Sequence, residues 1–169
     1  GSEEVLIDSL STEAIADPIP SLDGSKIYYS KFSNTTRKLN MLQGGADIYS
    51  IDVRSKVITQ LTHSEKNFPP NSVGGENLWR SFNTGPCPVP GNRIIFTSNR
   101  NGLSSPRFSG TSERAHCMQL WAMDLDGKNV EQVGFMNQSG ALHPFLLKDG
   151  GIAWSSREDQ GMRTLRSWA

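Results

Sequence analysis

The stretch that decides the fold runs from Asp17 to Thr62 and opens with Asp17-Pro18-Ile19-Pro20-Ser21-Leu22-Asp23-Gly24. It continues with the apolar run Lys26 to Phe32. After a polar loop come Ala46-Asp47-Ile48-Tyr49-Ser50-Ile51-Asp52 and Val57-Ile58-Thr59-Gln60-Leu61-Thr62. An Asp-Gly pair between two strand-like runs is typical of a tight hairpin turn. The stretch therefore predicts four short antiparallel strands in one unit.

This unit recurs twice along the chain. The second copy begins Gly85-Pro86-Cys87-Pro88-Val89-Pro90-Gly91-Asn92, and the third reads Leu142-His143-Pro144-Phe145-Leu146-Leu147-Lys148-Asp149-Gly150-Gly151. Each copy has a residue followed by proline, then a turn with Gly, then apolar residues and a serine. Repeated four-stranded units are the signature of β-propeller blades. We expect an all-β fold, a partial β-propeller of about two and a half to three four-stranded antiparallel blades.

The repeat resembles a known one. The pattern Pro…Asp-Gly…Ile-X-(Tyr/Phe/Trp)-X-Ser…Ile-Tyr-X-X-Asp…Leu-Thr is similar to the TolB-type repeat, found in the periplasmic TolB protein and in propeller domains of prolyl-oligopeptidase-type enzymes. The segment from Gly85 to Ser98, with Leu142-His143-Pro144, also resembles the propeller of hydrazine synthase alpha-subunit-like proteins. Both resemblances imply architecture rather than chemistry, because propellers host many unrelated activities.

The repeat sets the predicted boundaries. Residues 15–62 form blade one, 63–84 a connecting loop, 85–134 blade two with an insertion at 101–117, and 135–169 an incomplete blade three. Residues 1–14 are expected to form either a short amphipathic helix or an outer strand left over from a previous blade.

The predicted ring is open, because propellers typically close with four to eight blades. An open blade edge presents unpaired backbone groups that favour pairing with another chain. The sequence is therefore expected to be a fragment of a larger protein, or to assemble with a second copy as a homodimer that completes the ring.

Charge and hydrophobicity exclude some partners. Seventeen basic and seventeen acidic residues leave no net charge, which argues against bulk binding to nucleic acid. No apolar run approaches the roughly 18 residues of a transmembrane helix, so membrane insertion is not expected. The sequence contains no signal peptide, but the TolB resemblance implies a periplasmic or secreted location.

Candidate binding residues lie in loops and at the channel. Trp79 and Arg80 belong to the long connection between blades one and two, and Arg107 and Arg114 to the insertion in blade two. Long propeller loops are where binding residues concentrate. Asp17 and His143 precede the first proline of their blades and are expected to face the central channel.

The cysteines and histidines leave two questions open. Cys87 and Cys117 either form a disulfide or remain two separate buried thiols. His116, Cys117 and His143 have the side-chain types of zinc ligands but lack their usual close spacing. No C-x-x-C-H motif for covalent haem is present. We therefore expect no metal site and no cofactor.

Catalytic motifs are also missing from the sequence. It contains no G-x-S-x-G nucleophile elbow, no Walker A motif and no dinucleotide fingerprint. The function expected is a non-catalytic binding or scaffold module for a protein or peptide partner. The alternative is an accessory, substrate-gating propeller domain of a larger enzyme, either peptidase-like or hydrazine-synthase-alpha-like. A third hypothesis is a small-ligand or metal site at the channel mouth.

Overall fold

The computed structural model describes residues 3–36, 44–64, 80–102, 117–135, 140–159 and 163–168. These residues contain eleven strands, which pair antiparallel in three successive sheets. The prediction of an all-β partial propeller is confirmed. Within the same residues, no helix is both long enough and apolar enough to cross a membrane.

Blade one is the first sheet, and its four strands lie in chain order. They are β1 (Ala14–Pro20), β2 (Lys26–Phe32), β3 (Ala46–Asp52) and β4 (Ile58–Gln60). The predicted Asp-Gly turn joins β1 to β2, with Gly24 at a φ of 71°. Asp23 accepts hydrogen bonds from the Ser21 hydroxyl and the Ser25 amide, so local side chains fix the turn.

Blades two and three repeat this order. Blade two consists of β5 (Asn83–Val89), β6 (Arg93–Ser98), β7 (Gln119–Asp124) and β8 (Glu131–Gln132). In blade three, β9 (Ala141–Leu146) pairs with β10 (Ile152–Asp159), which pairs with β11 (Arg163–Trp168). The third blade therefore has three strands within the described residues.

Apolar packing between blades explains why the second strands are not cleanly amphipathic. Tyr28 and Tyr29 are adjacent in β2, point to opposite faces and are both buried. Tyr29 stacks on Tyr49 within blade one, with ring centroids 5.7 Å apart. Tyr28 belongs to a core cluster that includes Ile94 and Phe96 of blade two. A strand covered on both faces needs apolar side chains at consecutive positions.

Residues 3–13 form neither the helix nor the strand expected from the sequence. Val5 and Leu10 remain exposed, so their apolar side chains supply no buried face that would select a regular structure. The segment contacts blade one through isolated polar groups. Glu4 lies 3.3 Å from the Lys56 ammonium, and the Thr12 carbonyl accepts a 2.8 Å hydrogen bond from the Thr35 amide.

A polar network, here called the blade seam, joins blades one and two; it comprises Asp47, Thr62, Asn83, Ser98 and Arg100. The buried Asp47 carboxylate accepts from the Thr62 hydroxyl at 2.8 Å and the Asn83 amide at 3.0 Å. The Asn83 oxygen in turn accepts from Ser98 Oγ at 2.8 Å and Arg100 Nη2 at 2.7 Å. One fully buried amide therefore bridges a carboxylate of blade one and a guanidinium of blade two.

Gly127 marks a second close approach between the blades. It lies in the β7–β8 turn with a φ of 83°, where its amide donates to the Asp124 carbonyl. A Cβ at this position would collide with the Leu61 carbonyl oxygen of blade one. The sequence Asp124-Leu125-Asp126-Gly127 is typical of a tight turn, but it does not indicate the contact with blade one.

The two cysteines do not form a disulfide, so that alternative is wrong; both are buried thiols. Cys87 pairs with Ile95, which pairs with Ala122, whereas Cys117 precedes Ala122 by five residues. Five residues of extended chain span about 16 Å, far beyond the Cα separation of roughly 4.4–6.8 Å that a disulfide needs. Burial raises the pKa of both thiols.

The close contact at Gly127 predicts that a methyl group added there lowers the free energy of unfolding. Gly127→Ala and the control Gly24→Ala both place alanine at positive φ, a strain of about 1–2 kcal/mol each. Only Gly127→Ala also collides with neighbouring backbone, since the space around Gly24 is open. We expect Gly127→Ala to lower the free energy of unfolding in urea by at least about 2 kcal/mol more than the control. Equal losses in the two variants would contradict this packing.

Candidate functional site

The candidate site is built from the innermost strands of the three blades, which line the central channel of a propeller. In β1, β5 and β9 the residue before the first proline has a left-handed backbone. These residues are Asp17, Gly85 and His143, with φ values of 53°, 60° and 50°. Strand pairing slips at each of these positions, so the three form equivalent bulges, here called the channel bulges.

Proline explains why each inner strand bulges at this point. It has no N–H to donate to the neighbouring strand, so regular pairing cannot continue through it. A left-handed conformation is unfavourable for most side chains, but glycine adopts it freely and Asp, Asn and His tolerate it better than others. The bulge therefore restricts this position at the channel mainly to glycine and a few polar residues such as Asp, Asn and His.

The channel bulges of blades one and two are hydrogen-bonded to each other. Asp17 Oδ2 accepts from Ser30 Oγ at 3.0 Å and from the Gly85 amide at 3.2 Å. The same amide also donates to Ser30 Oγ at 3.0 Å. Ser30 is fully buried, whereas the Asp17 side chain keeps a quarter of its surface exposed. One oxygen of the Asp17 carboxylate is thus anchored, and the other, Oδ1, faces blade three.

Blade three brings the second predicted channel residue to that free oxygen. His143 Nδ1 lies 3.6 Å from Asp17 Oδ1, and the imidazole is 69% exposed. The glycine between them has no side chain, and a Cβ there would meet His143 and Pro144 at ordinary contact distance. Gly85 thus lies beside the position at which a carboxylate and an imidazole from non-adjacent blades approach each other. The pair offers an acceptor and a titratable donor to the channel.

The other predicted binding residues do not join this site in the described structure. Trp79, Arg107 and Arg114 lie outside the described residues. Arg80 is described and lies beside Gly45 at the start of β3. Among the described residues, it makes no hydrogen bond or ion pair with Asp17 or His143.

The described residues do not support a metal centre at the channel bulges. Across the parts of the chain that the structure describes, no three His, Cys, Asp or Glu side chains are grouped to hold an ion. The hypothetical zinc set included His116, which lies outside those parts. Asp17 and His143 are two potential ligands, whereas structural zinc sites use four.

Sequence reasoning missed Ser30 and Gly85 as members of the site. The signal was present, because Gly85-Pro86 aligns with Asp17-Pro18 and His143-Pro144 in the repeat. A glycine in that column indicates a required left-handed backbone, and Ser30, near the end of β2, supplies the hydroxyl. Asn83 was missed because the second repeat was taken to begin at Gly85, after this residue.

Comparisons with known proteins agree with the propeller fold. No protein-family model matches the sequence, and no curated protein shows significant similarity to it. Among solved structures, a putative TolB from Agrobacterium tumefaciens matches with a TM-score of 0.55 and 25% identity, over 88% of this chain and 42% of that one. TolB from Acinetobacter baumannii matches with a TM-score of 0.53 and 20% identity, over 89% and 29% of the two chains.

A structure of a prolyl endopeptidase also matches, with a TM-score of 0.54 and 16% identity. The match covers 99% of this chain and 24% of that one. The predicted resemblance to TolB-type propellers is therefore confirmed, while the resemblance to hydrazine synthase propellers stays a prediction. The chain spans less than half of each of these structures.

Because Asp17 accepts a hydrogen bond from the Gly85 amide, removal of its charge should weaken the protection of that amide. Asp17→Asn keeps the size of the side chain and tolerates the left-handed backbone, but it weakens the hydrogen bond from the Gly85 amide. We expect hydrogen exchange of that amide to accelerate about fivefold, the equivalent of roughly 1 kcal/mol. As a control, Asp149→Asn alters a turn in blade three, where Asp149 bonds the Gly151 amide. Unchanged exchange at Gly85 in Asp17→Asn would contradict the anchoring role.

Proposed function

We propose that the chain is a non-catalytic binding module that recognises a protein or peptide partner at the channel side of its blades. The observation that carries the proposal is the convergence of Asp17 and His143, 3.6 Å apart, from blades one and three. Both side chains are accessible, and both stand at strained positions fixed by the neighbouring blades. Backbone strain held at an accessible polar pair is a feature of binding sites.

An exposed aromatic residue lies close in sequence to the polar pair. Phe145 follows His143 by two residues on β9, and its side chain is half exposed. Blade three therefore carries an exposed imidazole and a half-exposed phenyl ring on the same inner strand. Large, partly exposed aromatic residues with polar neighbours are typical anchors of protein interfaces. This combination supports a peptide ligand better than a small ion.

The wider setting of the proposal comes from the resemblance to TolB-type propellers. The matched TolB structures are more than twice as long as this chain, so the described blades are inferred to act as part of a larger ring. That ring is completed by further blades of the same protein or by a second copy of the chain. We further propose an exported, periplasmic or secreted location.

A second candidate is an accessory propeller that controls access to the active site of a larger enzyme. It is favoured by one observation, the match of nearly the whole chain to part of a prolyl endopeptidase structure. At 16% identity this match concerns the fold alone. A hydrolase domain encoded in the same reading frame would support this candidate, and a reading frame that encodes only propeller repeats would contradict it.

The binding proposal is tested by selecting peptides from a random twelve-residue phage library on the immobilised chain. Selected peptides are labelled, and their dissociation constants are measured by fluorescence anisotropy. We expect the double variant Asp17→Asn/His143→Asn to bind them at least tenfold more weakly, because asparagine tolerates both backbones but removes the carboxylate and the imidazole.

The control for this experiment is Asp149→Asn, which removes a carboxylate from an exposed turn of blade three. It should bind the selected peptides as the unaltered chain does. Failure to enrich any peptide, or equal affinity for the unaltered chain and the double variant, would overturn the proposal.

A further inference from the structure

A cleft lies between blades one and two, at the turns that join their first and second strands. Its volume is about 280 Å³, and its lining combines apolar and polar residues in similar measure. Tyr28 and Leu125 line it from the core side, while Leu22, Pro88 and Pro90 belong to the two turn regions. Leu22 is 62% exposed although it stands beside this apolar surface. The channel bulges are not among the residues that line the cleft.

The acidic group in the cleft is already occupied by its own turn. Asp23 accepts hydrogen bonds from the hydroxyls of Ser21, at 2.6 Å, and of Ser25, at 2.9 Å, and from the Ser25 amide at 3.1 Å. These hydrogen bonds lower the pKa of Asp23 to about 2. The carboxylate is thus ionised at neutral pH, but its oxygens already accept hydrogen bonds from residues of the turn. It is poorly placed to bind a cationic ligand.

The basic group in the cleft is the Lys26 ammonium, which, unlike the Asp23 carboxylate, is not occupied by neighbouring groups in the described parts of the chain. Among the described residues, the Lys26 ammonium makes neither a hydrogen bond nor an ion pair, while its backbone amide is held by Ser21 Oγ at 2.9 Å. The carboxylates that face Lys26 are Asp23 and its cross-strand neighbour Asp52. Asp52 is also occupied, because it accepts from the amides of Arg54 and Ser55. The cleft therefore combines an apolar floor with an uncommitted cation and nearby negative charge.

These features select an aromatic side chain as the occupant. The nearby carboxylates disfavour an anionic ligand, whereas the face of an aromatic ring attracts an ammonium group without carrying a net charge. Proline, leucine and tyrosine walls provide the apolar contact that a ring requires. Blade one already contains this arrangement, since the Lys31 ammonium lies 5.7 Å from the centre of the Tyr49 ring. The volume lies just below the usual range of small-molecule pockets, so it suits one anchoring side chain.

We propose that this cleft is a second binding site, which takes an aromatic side chain, tryptophan above all, from a neutral peptide segment of a partner protein. The proposal rests on the binding function proposed above but concerns a different surface. The ring lies against Pro88, Pro90 and Leu22, with one face towards Lys26. Tyr28 closes the floor as a neutral phenol, since burial raises its pKa.

The test compares two capped tripeptides whose central side chain is a largely apolar ring, with π-electrons in one and without them in the other. They are N-acetyl-Gly-Trp-Gly-amide and its analogue with cyclohexylalanine in place of tryptophan. Each is titrated into the isotope-labelled chain, and amide shifts are followed by NMR. We expect saturable shifts at Leu22, Val89 and Asn92, with the tryptophan peptide binding roughly three- to fivefold more tightly. Absence of saturable shifts, or equal affinity for the two peptides, would overturn the proposal.

Two variants test which residues bind the peptides and which cause the preference for tryptophan. Lys26→Met keeps the length of the side chain without its charge, so it should abolish the preference for tryptophan while retaining weak binding of both peptides. Leu22→Asp places a charge on the apolar wall and should weaken both peptides at least fivefold. An unchanged preference in Lys26→Met would exclude the ammonium contact, and unchanged affinity in Leu22→Asp would exclude the cleft.

The variants at the channel bulges separate this proposal from the first one. Asp17→Asn/His143→Asn should bind the tryptophan peptide as the unaltered chain does, because neither residue lines the cleft. Loss of binding in that variant would place the aromatic site at the channel and overturn the cleft proposal. Normal cleft binding with no peptide selected at the channel would overturn only the function proposed above.

Discussion

The hydrogen bond between the Asp47 carboxylate and the Asn83 amide is the contact on which the arrangement of blades one and two depends. A buried carboxylate is costly unless all its acceptor sites are used, and Asp47 uses donors from Thr62, Ser64 and Asn83. Asn83 belongs to the neighbouring blade, so satisfying the carboxylate requires that blade to lie in one position. Apolar packing around Tyr28 supplies most of the buried surface, but it is less directional than this contact.

The position of the blades in turn sets the geometry of the channel. Asp17 and His143 are on blades one and three, and each has the left-handed backbone that its proline-induced bulge imposes. They approach to 3.6 Å beside Gly85 of the blade between them, whose positive φ favours glycine. A site of this kind is assembled by the stacking of blades, and a single blade could not form it. The same stacking creates the cleft between the two turn regions.

The sequence predicted the repeated elements well because their signals are local. The Asp-Gly turn, the apolar run of β2 and the X-Pro dipeptides each depend on a few adjacent residues. Asp17 and His143 could be placed at the channel because both occupy one column of the repeat. The blade seam could not be predicted, since Asp47 and Asn83 are 36 residues apart and do not occupy equivalent positions in the repeat. The N-terminal segment was assigned wrongly because Val5 and Leu10 are apolar but remain exposed.

The blade seam is tested most directly by a double-mutant cycle between Asp47→Ala and Asn83→Ala. Free energies of unfolding are measured in urea for the unaltered chain, the two single variants and the double variant. If the carboxylate and the amide depend on each other across the blades, the double variant loses less stability than the sum of the single variants. The expected coupling energy is about 1–3 kcal/mol. Losses that add to within roughly 0.3 kcal/mol would show that the two residues act independently and would contradict the account.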